Sequence, residues 1–149
     1  KGQRDKGTKG QRDKGTKKEE RRKKKAHRMG IQTFRDLVVW RKSMDLVTRI
    51  YQSTKTFPKE EMYGLTSQVR RSAVSVPSNI AEGYGRFSRA EYLRFLQIAN
   101  GSLCEMQTQL EISVNLGYLS KERFSEIHEQ SREIERMLSG LTKKLAPRT

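Results

Sequence analysis

Four apolar stripes at helical spacing, the capping residues that open two of them, and the lack of any sustained period-two alternation predict an all-α protein. With connections of two to six residues, these stripes make an antiparallel up-down-up-down four-helix bundle. A basic N-terminal tail, expected to be disordered or extended, precedes it. By domain, residues 1–28 are tail and residues 29–149 are the bundle.

The tail opens with KGQRDKGT at residues 1–8, repeated unchanged at 9–16. A segment so rich in Lys and Gly has nothing to bury. KKEERRKKKAHR follows over 17–28, and its Glu and Lys/Arg content permits a frayed, solvent-exposed helix. Met29-Gly30 begins the first stretch with apolar periodicity, so Met29 reads as a candidate initiator. The tail is then either a native phosphate-gripping arm or upstream DNA read in frame.

The first helix is expected from about Phe34 to Thr54, with Leu37, Trp40, Met44, Val47 and Tyr51 as its buried stripe. It stops before Phe57-Pro58. The second starts near Lys59 or Glu60, where Pro58 and the paired glutamates suit a helix N-terminus. Met62, Leu65, Val69, Ala73 (or Ser72), Val76 and Ile80 form its stripe. Pro77 should kink this helix without breaking it, because the stripe keeps its phase across the proline. Gly83 and Gly85 end it as turn glycines needing positive φ. Ser88-Arg89-Ala90-Glu91 is a capping box opening the third helix. Its stripe is Tyr92, Leu96, Ala99, Leu103, Met106, Leu110 and Ser113, widened by Phe95 and Val114, and Gly117 closes it. Ser120 caps the fourth helix, whose stripe is Phe124, Ile127, Ser131, Ile134, Leu138, Leu141 and Leu145, with Pro147 beyond its end. Trp40, Phe95 and Phe124 are the expected large fillers of the core.

Charge bears on partners. The chain holds 32 Lys+Arg against 17 Asp+Glu, a net of +15, and residues 1–28 account for 14 and 4 of these. The excess favours polyanions such as RNA, DNA or a ribosomal surface. The folded part is only mildly basic, so a solvated surface with a basic extension is the competing reading. No apolar run approaches the ~20 residues that span a bilayer, and no secretory signal follows the basic N-terminus. A cytoplasmic protein without a membrane partner is expected. The single Cys104 excludes an intramolecular disulfide and a cysteine zinc cluster, and is expected to be a small buried residue.

One polar stripe invites a role. Arg71, Ser75, Ser78 and Glu82 share a face of the second helix, turned about 200° from Val69 at ~100° per residue. Asn79 and Arg70 flank it. Three readings stand: phosphate contact through Arg70, Arg71 and Arg86 with help from Asn79, a subunit interface, or a solvated face. As an interface, small Ser72, Ala73, Ser75, Ser78 and Ala81 would admit a second helix, with Arg71 and Glu82 pairing across it. Gly83-Tyr84-Gly85 lacks the strand and third glycine of a dinucleotide site. Gly101 inside the third helix costs about 1 kcal/mol against alanine, which close packing would justify, and Asn100 beside it could be buried or exposed. His27 and His128 stand at no triad or di-iron spacing. No catalytic residue, cofactor or metal is expected.

FRDLVVWRKSMDLV, FPKEEMYGLTSQVRRSAVSVPSNIAEGYGRFS and FLQIANGSLCEMQTQLEIS resemble the four-helix bundle proteins encoded in intervening sequences of bacterial 23S rRNA genes. The resemblance covers residues 31 to about 140 and leaves the tail outside. It implies an up-down bundle assembling as a ring-like homopentamer. Related bundles serve as accessory subunits of retroelement reverse transcriptases and bind nucleic acid through a basic surface. The expected function is therefore a non-enzymatic oligomer associated with rRNA or other nucleic acid through Arg70, Arg71, Arg86, Arg89 and Arg94. The alternative is an interaction scaffold whose Arg71, Ser75, Ser78, Asn79 and Glu82 are consumed in subunit contacts.

Overall fold

Glutamate, lysine and arginine dominate residues 17–25, and all three are good helix formers. The computed structural model, which describes residues 10–28 and 30–148 (side chains of the N-terminal segment over 15–25), makes this stretch part of helix α1, Gly10–Arg28. That corrects the expectation of a disordered or extended tail over residues 10–16, while over 17–28 the helix is the one its Glu and Lys/Arg content permits; residues 1–9 lie outside the described residues. Lys23 Nζ sits 2.9 Å from Glu19 at the helix-supporting i,i+4 spacing.

Thr33 caps a 3₁₀ turn, Phe34–Asp36, and the Asp36 carboxylate accepts from the amides of Gln32 (2.9 Å) and Thr33 (3.0 Å). Those two donors hold the Asp36 carboxyl below its ordinary range. Leu37 is extended, so helix α2 begins afresh at Val38 and runs to Thr54. Its buried face is Val39, Ser43, Leu46, Ile50, Ser53 and Thr54. The stripe expected from sequence is therefore about 100° out of phase: Met44 and Tyr51 are exposed, Trp40 and Val47 half-buried, and only Leu37 is buried. The cause is hydroxyl chemistry. Ser43 donates to the Val39 carbonyl (2.7 Å) and Thr54 to that of Ile50 (2.8 Å), so both enter the core without an orphaned group.

A second 3₁₀ turn, Lys59–Glu61, precedes helix α3, Leu65–Gly85, which runs unbroken through a buried Pro77. Met62 stays exposed, ahead of the helix. Gly83 and Gly85 are not left-handed; among the described residues positive φ occurs only at Gly30 and Gly117. Gly83 serves close approach instead. A Cβ there would lie 2.6 Å from Phe95 Cβ and 3.1 Å from Tyr92 Cδ2 on the next helix.

Helix α4, Arg89–Asn115, buries all seven residues of its expected stripe, and also Gln109. Ser88 Oγ accepts the Glu91 amide at 3.0 Å. Gly117, at φ 75°, lets Gly117 and Tyr118 return their amides to the carbonyls of Val114 (3.0 Å) and Ser113 (2.9 Å). Gly101 has open space where its Cβ would be, so close packing is not why it is there. Helix α5, Lys121–Leu145, is capped by Ser120 and buries Ile127, Ser131, Ile134 and Leu138.

Helix α3 packs most extensively on α4; α2 contacts α3 and α5, and α5 contacts α4, which closes the circuit. All described secondary structure is helical. Fully buried Leu46, Val69, Ile80, Leu103, Met106 and Ile134 typify the core between these four helices. The expected aromatic fillers Trp40, Phe95 and Phe124 are only half-buried; Phe57, packed near Tyr118, is the buried phenylalanine. Side-chain bonds tie the seams: Ser72 to Gln109 (2.8 Å) and Gln107 to Ser131 (2.9 Å).

Candidate nucleic-acid interface

Arg22 on α1 reaches across to the end of α3. Its guanidinium donates to the carbonyls of Arg86 (3.0 Å) and Tyr84 (3.5 Å) and lies 5.2 Å from the centroid of the Tyr92 ring. A cation suits the negative end of a helix. Burial pushes the Tyr92 hydroxyl up to about 12. With α1 held by so long a side chain, a groove of about 970 Å³ remains between it, the start of α4 and the end of α5. Lys18, Lys25, Arg89, Lys143, Lys144 and Arg148 line it together with apolar and small residues, and none of the described lining residues carries a carboxylate.

Local sequence sets each wall. Ser88 opens α4 at the groove, which directs the positive end of that helix there. Lys143 and Lys144 occupy the last turn of α5, the favourable end for cations. Arg89 joins the two walls: Nε donates to the Leu145 carbonyl at 2.7 Å and a terminal nitrogen donates to that of Lys144.

Of the five arginines expected to bind nucleic acid, Arg89 alone lines the groove. Arg86 pairs with Glu82 at 2.7 Å and covers the Phe95 ring. Arg70 is a strut, donating to Thr54 Oγ1 (2.9 Å) and lying over Tyr51. It sits 16 positions from Arg86, about 24 Å along α3 at 1.5 Å per residue. Arg71 and Arg94 are exposed.

The expected subunit face divides. Ser75 Oγ meets Ser102 Oγ of α4 at 2.8 Å, and Asn79 Nδ2 donates to the Ser75 carbonyl (2.8 Å) and hydroxyl (2.9 Å). Both therefore serve the α3–α4 seam within one chain. Arg71, Ser78 and Glu82 remain exposed, with Val74 among them. Cys104 is exposed rather than buried, because it faces away from the Leu103–Met106 side of α4. His128 stacks on Phe124, with ring centroids 5.3 Å apart. Among the described residues no cluster of metal-ligating side chains forms, and no helix is long and apolar enough to cross a membrane.

The family described as 23S rRNA-intervening sequence protein matches residues 35–140. The chain belongs to that family. One solved structure similar to it is a protein of unknown function from the S23 ribosomal protein family of Bacteroides thetaiotaomicron. The two are 29% identical with a TM-score of 0.67, over 71% of this chain and 99% of that one. No curated protein matches. The family match includes Ser88, Arg89, Ala90 and Leu93 but excludes Lys18, Lys25, Lys143, Lys144 and Arg148. Five of the six cations of the groove thus lie outside the family's matched segment.

Of those five, Lys143, Lys144 and Arg148 were missed in the sequence, and Lys18 and Lys25 were read only as part of a phosphate-gripping tail. The five come from segments more than 100 positions apart, and a stripe-by-stripe reading treats Lys143 and Lys144 only as a helix end. The available signal was positional: in an up-down arrangement the end of the last helix lies beside the start of the one before it.

Proposed function

We propose that this chain is a cytoplasmic, non-enzymatic oligomer that associates with rRNA or another nucleic acid, with the groove between α1, α4 and α5 as its phosphate-binding surface. The observation that carries this reading is six cationic side chains, five from three helices and Arg148 from the segment after α5, converging on one concavity with no carboxylate among the described residues that line it. Phosphate contacts of this kind give affinity and position without reading sequence. The frame is an antiparallel up-down-up-down four-helix bundle, supported by the closed circuit of packing among α2, α3, α4 and α5. Arg71 and Arg94, exposed elsewhere, add to the positive surface, whereas Arg86 is paired with Glu82.

Assembly belongs to the proposal as well. Val74, flanked on the exposed side of α3 by Arg71 and Ser78, supports a self-contact, and the homopentamer implied by the family resemblance is the expected size. The same face favours a second reading, a scaffold with no nucleic-acid role. Fluorescence anisotropy with labelled rRNA fragments separates the two. Reversing Lys143, Lys144 and Arg148 to glutamate abolishes binding if the groove holds phosphates. If RNA fails to bind the parent chain, the groove reading is wrong and the scaffold stands; if it binds the reversed variant equally well, the phosphates are held elsewhere and both readings fall.

A further inference from the structure

Phe87 is 83% exposed, and its position differs from that of an ordinary surface phenylalanine. It sits in the short connection between α3 and α4, directly before Ser88 and Arg89, which line the cationic groove. Consecutive Cα atoms lie about 3.8 Å apart. Its tether is held from both sides. The Arg86 amide bonds the Gly83 carbonyl (3.1 Å), the Arg86 carbonyl accepts from Arg22 (3.0 Å), and Ser88 Oγ takes the Glu91 amide (3.0 Å). A bare aromatic ring on a braced connection beside a phosphate-binding groove is the arrangement of a stacking platform.

We infer that the groove takes single-stranded nucleic acid, with backbone phosphates along its lysines and an unpaired base stacked on Phe87. This rests on the proposed reading of the groove as a phosphate site. Duplex RNA offers no free base face, and its deep, narrow major groove keeps side chains from the base edges. A concave cationic surface with one projecting ring also suits a strand better than a membrane, which is bound by a broad apolar face. Tyr63 supplies an internal comparison. It is 94% exposed but lies before α3, beside Glu60 and Glu61, and α3 separates it from Phe87 by roughly 30 Å.

The test uses the full chain in anisotropy titrations against a short unpaired RNA, an RNA duplex of equal length, and vesicles containing phosphatidylserine. The parent should bind the single strand more tightly than the duplex. Phe87→Ala should weaken single-strand binding about 5- to 150-fold, the loss of one stacked base, and leave duplex binding unchanged. Phe87→Trp should restore it, and Tyr63→Ala should have no effect. Far-UV circular dichroism confirms that each variant is folded. Equal affinity for both RNAs, with Phe87→Ala altering neither, overturns the stacking inference; the groove reading survives that result if Lys143→Glu with Lys144→Glu still weakens both. Binding to vesicles but to neither RNA overturns both.

Discussion

Gly83→Ala adds a methyl group where α3 and α4 leave no room for one. The new Cβ would stand 2.6 Å from Phe95 Cβ, 3.1 Å from Tyr92 Cδ2 and 3.3 Å from the Tyr92 carbonyl oxygen. Carbon atoms sit best at about 3.5–4.0 Å, so the Phe95 contact is short by roughly 1 Å. Phe95 Cβ is fixed to the α4 backbone and no change of rotamer moves it, so the helices must separate. Overpacking costs about 1–3 kcal/mol, and a shift along the most extensive helix pair belongs at the upper end. Alanine's better helix propensity returns about 1 kcal/mol. The net expectation is a loss of about 2 kcal/mol. Gly101→Ala is the matched control, since nothing lies within 4 Å of its Cβ position and its φ is not positive. It should gain about 0.5–1 kcal/mol. Urea denaturation followed by circular dichroism should show the midpoint falling for the first variant and rising for the second. Shifts in the same direction would refute the close-approach argument.

Other perturbations have equally definite signs. Asp36 is held below its ordinary pKa by backbone donors, so its contribution is complete above the unfolded value of about 3.9 and is lost as pH falls through the folded one; the stability difference between parent and Asp36→Asn should therefore shrink in acid denaturation. Tyr92 behaves oppositely. Its hydroxyl titrates at about 12 when folded and near 10 unfolded, so stability is lost as pH rises through that window, and Tyr92→Phe should resist alkaline unfolding better than the parent. Arg22→Ala removes charge-assisted bonds of about 1–2 kcal/mol after allowance for exposure. Hydrogen exchange over residues 15–25 should then accelerate roughly 5- to 30-fold, while the global unfolding midpoint stays in place.

Helix α4 was legible because its stripe keeps spacings of four and three without a break from Tyr92 to Ser113. Helix α2 was read on the wrong face because Ser43 and Thr54 occupy core positions, and self-bonded hydroxyls look like surface in a sequence. The role of Gly83 was hidden for another reason: a helix-ending glycine and a close-approach glycine are the same letter, and only the position of Phe95 separates them. The candidate site was the least legible part. Arg89 was singled out, but its neighbours Lys18, Lys25, Lys143, Lys144 and Arg148 meet it only once three helices are placed. Ser75 and Asn79, read as available for another subunit, turned out to bond within the α3–α4 seam.

The salt dependence of RNA affinity tests the groove most directly. Plotted as log affinity against log salt concentration, the full chain should give a steep negative slope of about −0.7 per phosphate neutralised on a single strand. Replacing Lys143, Lys144 and Arg148 with glutamine should make that slope shallower by about 2. A slope unchanged by the three replacements would show that the phosphates bind elsewhere and would contradict the assignment.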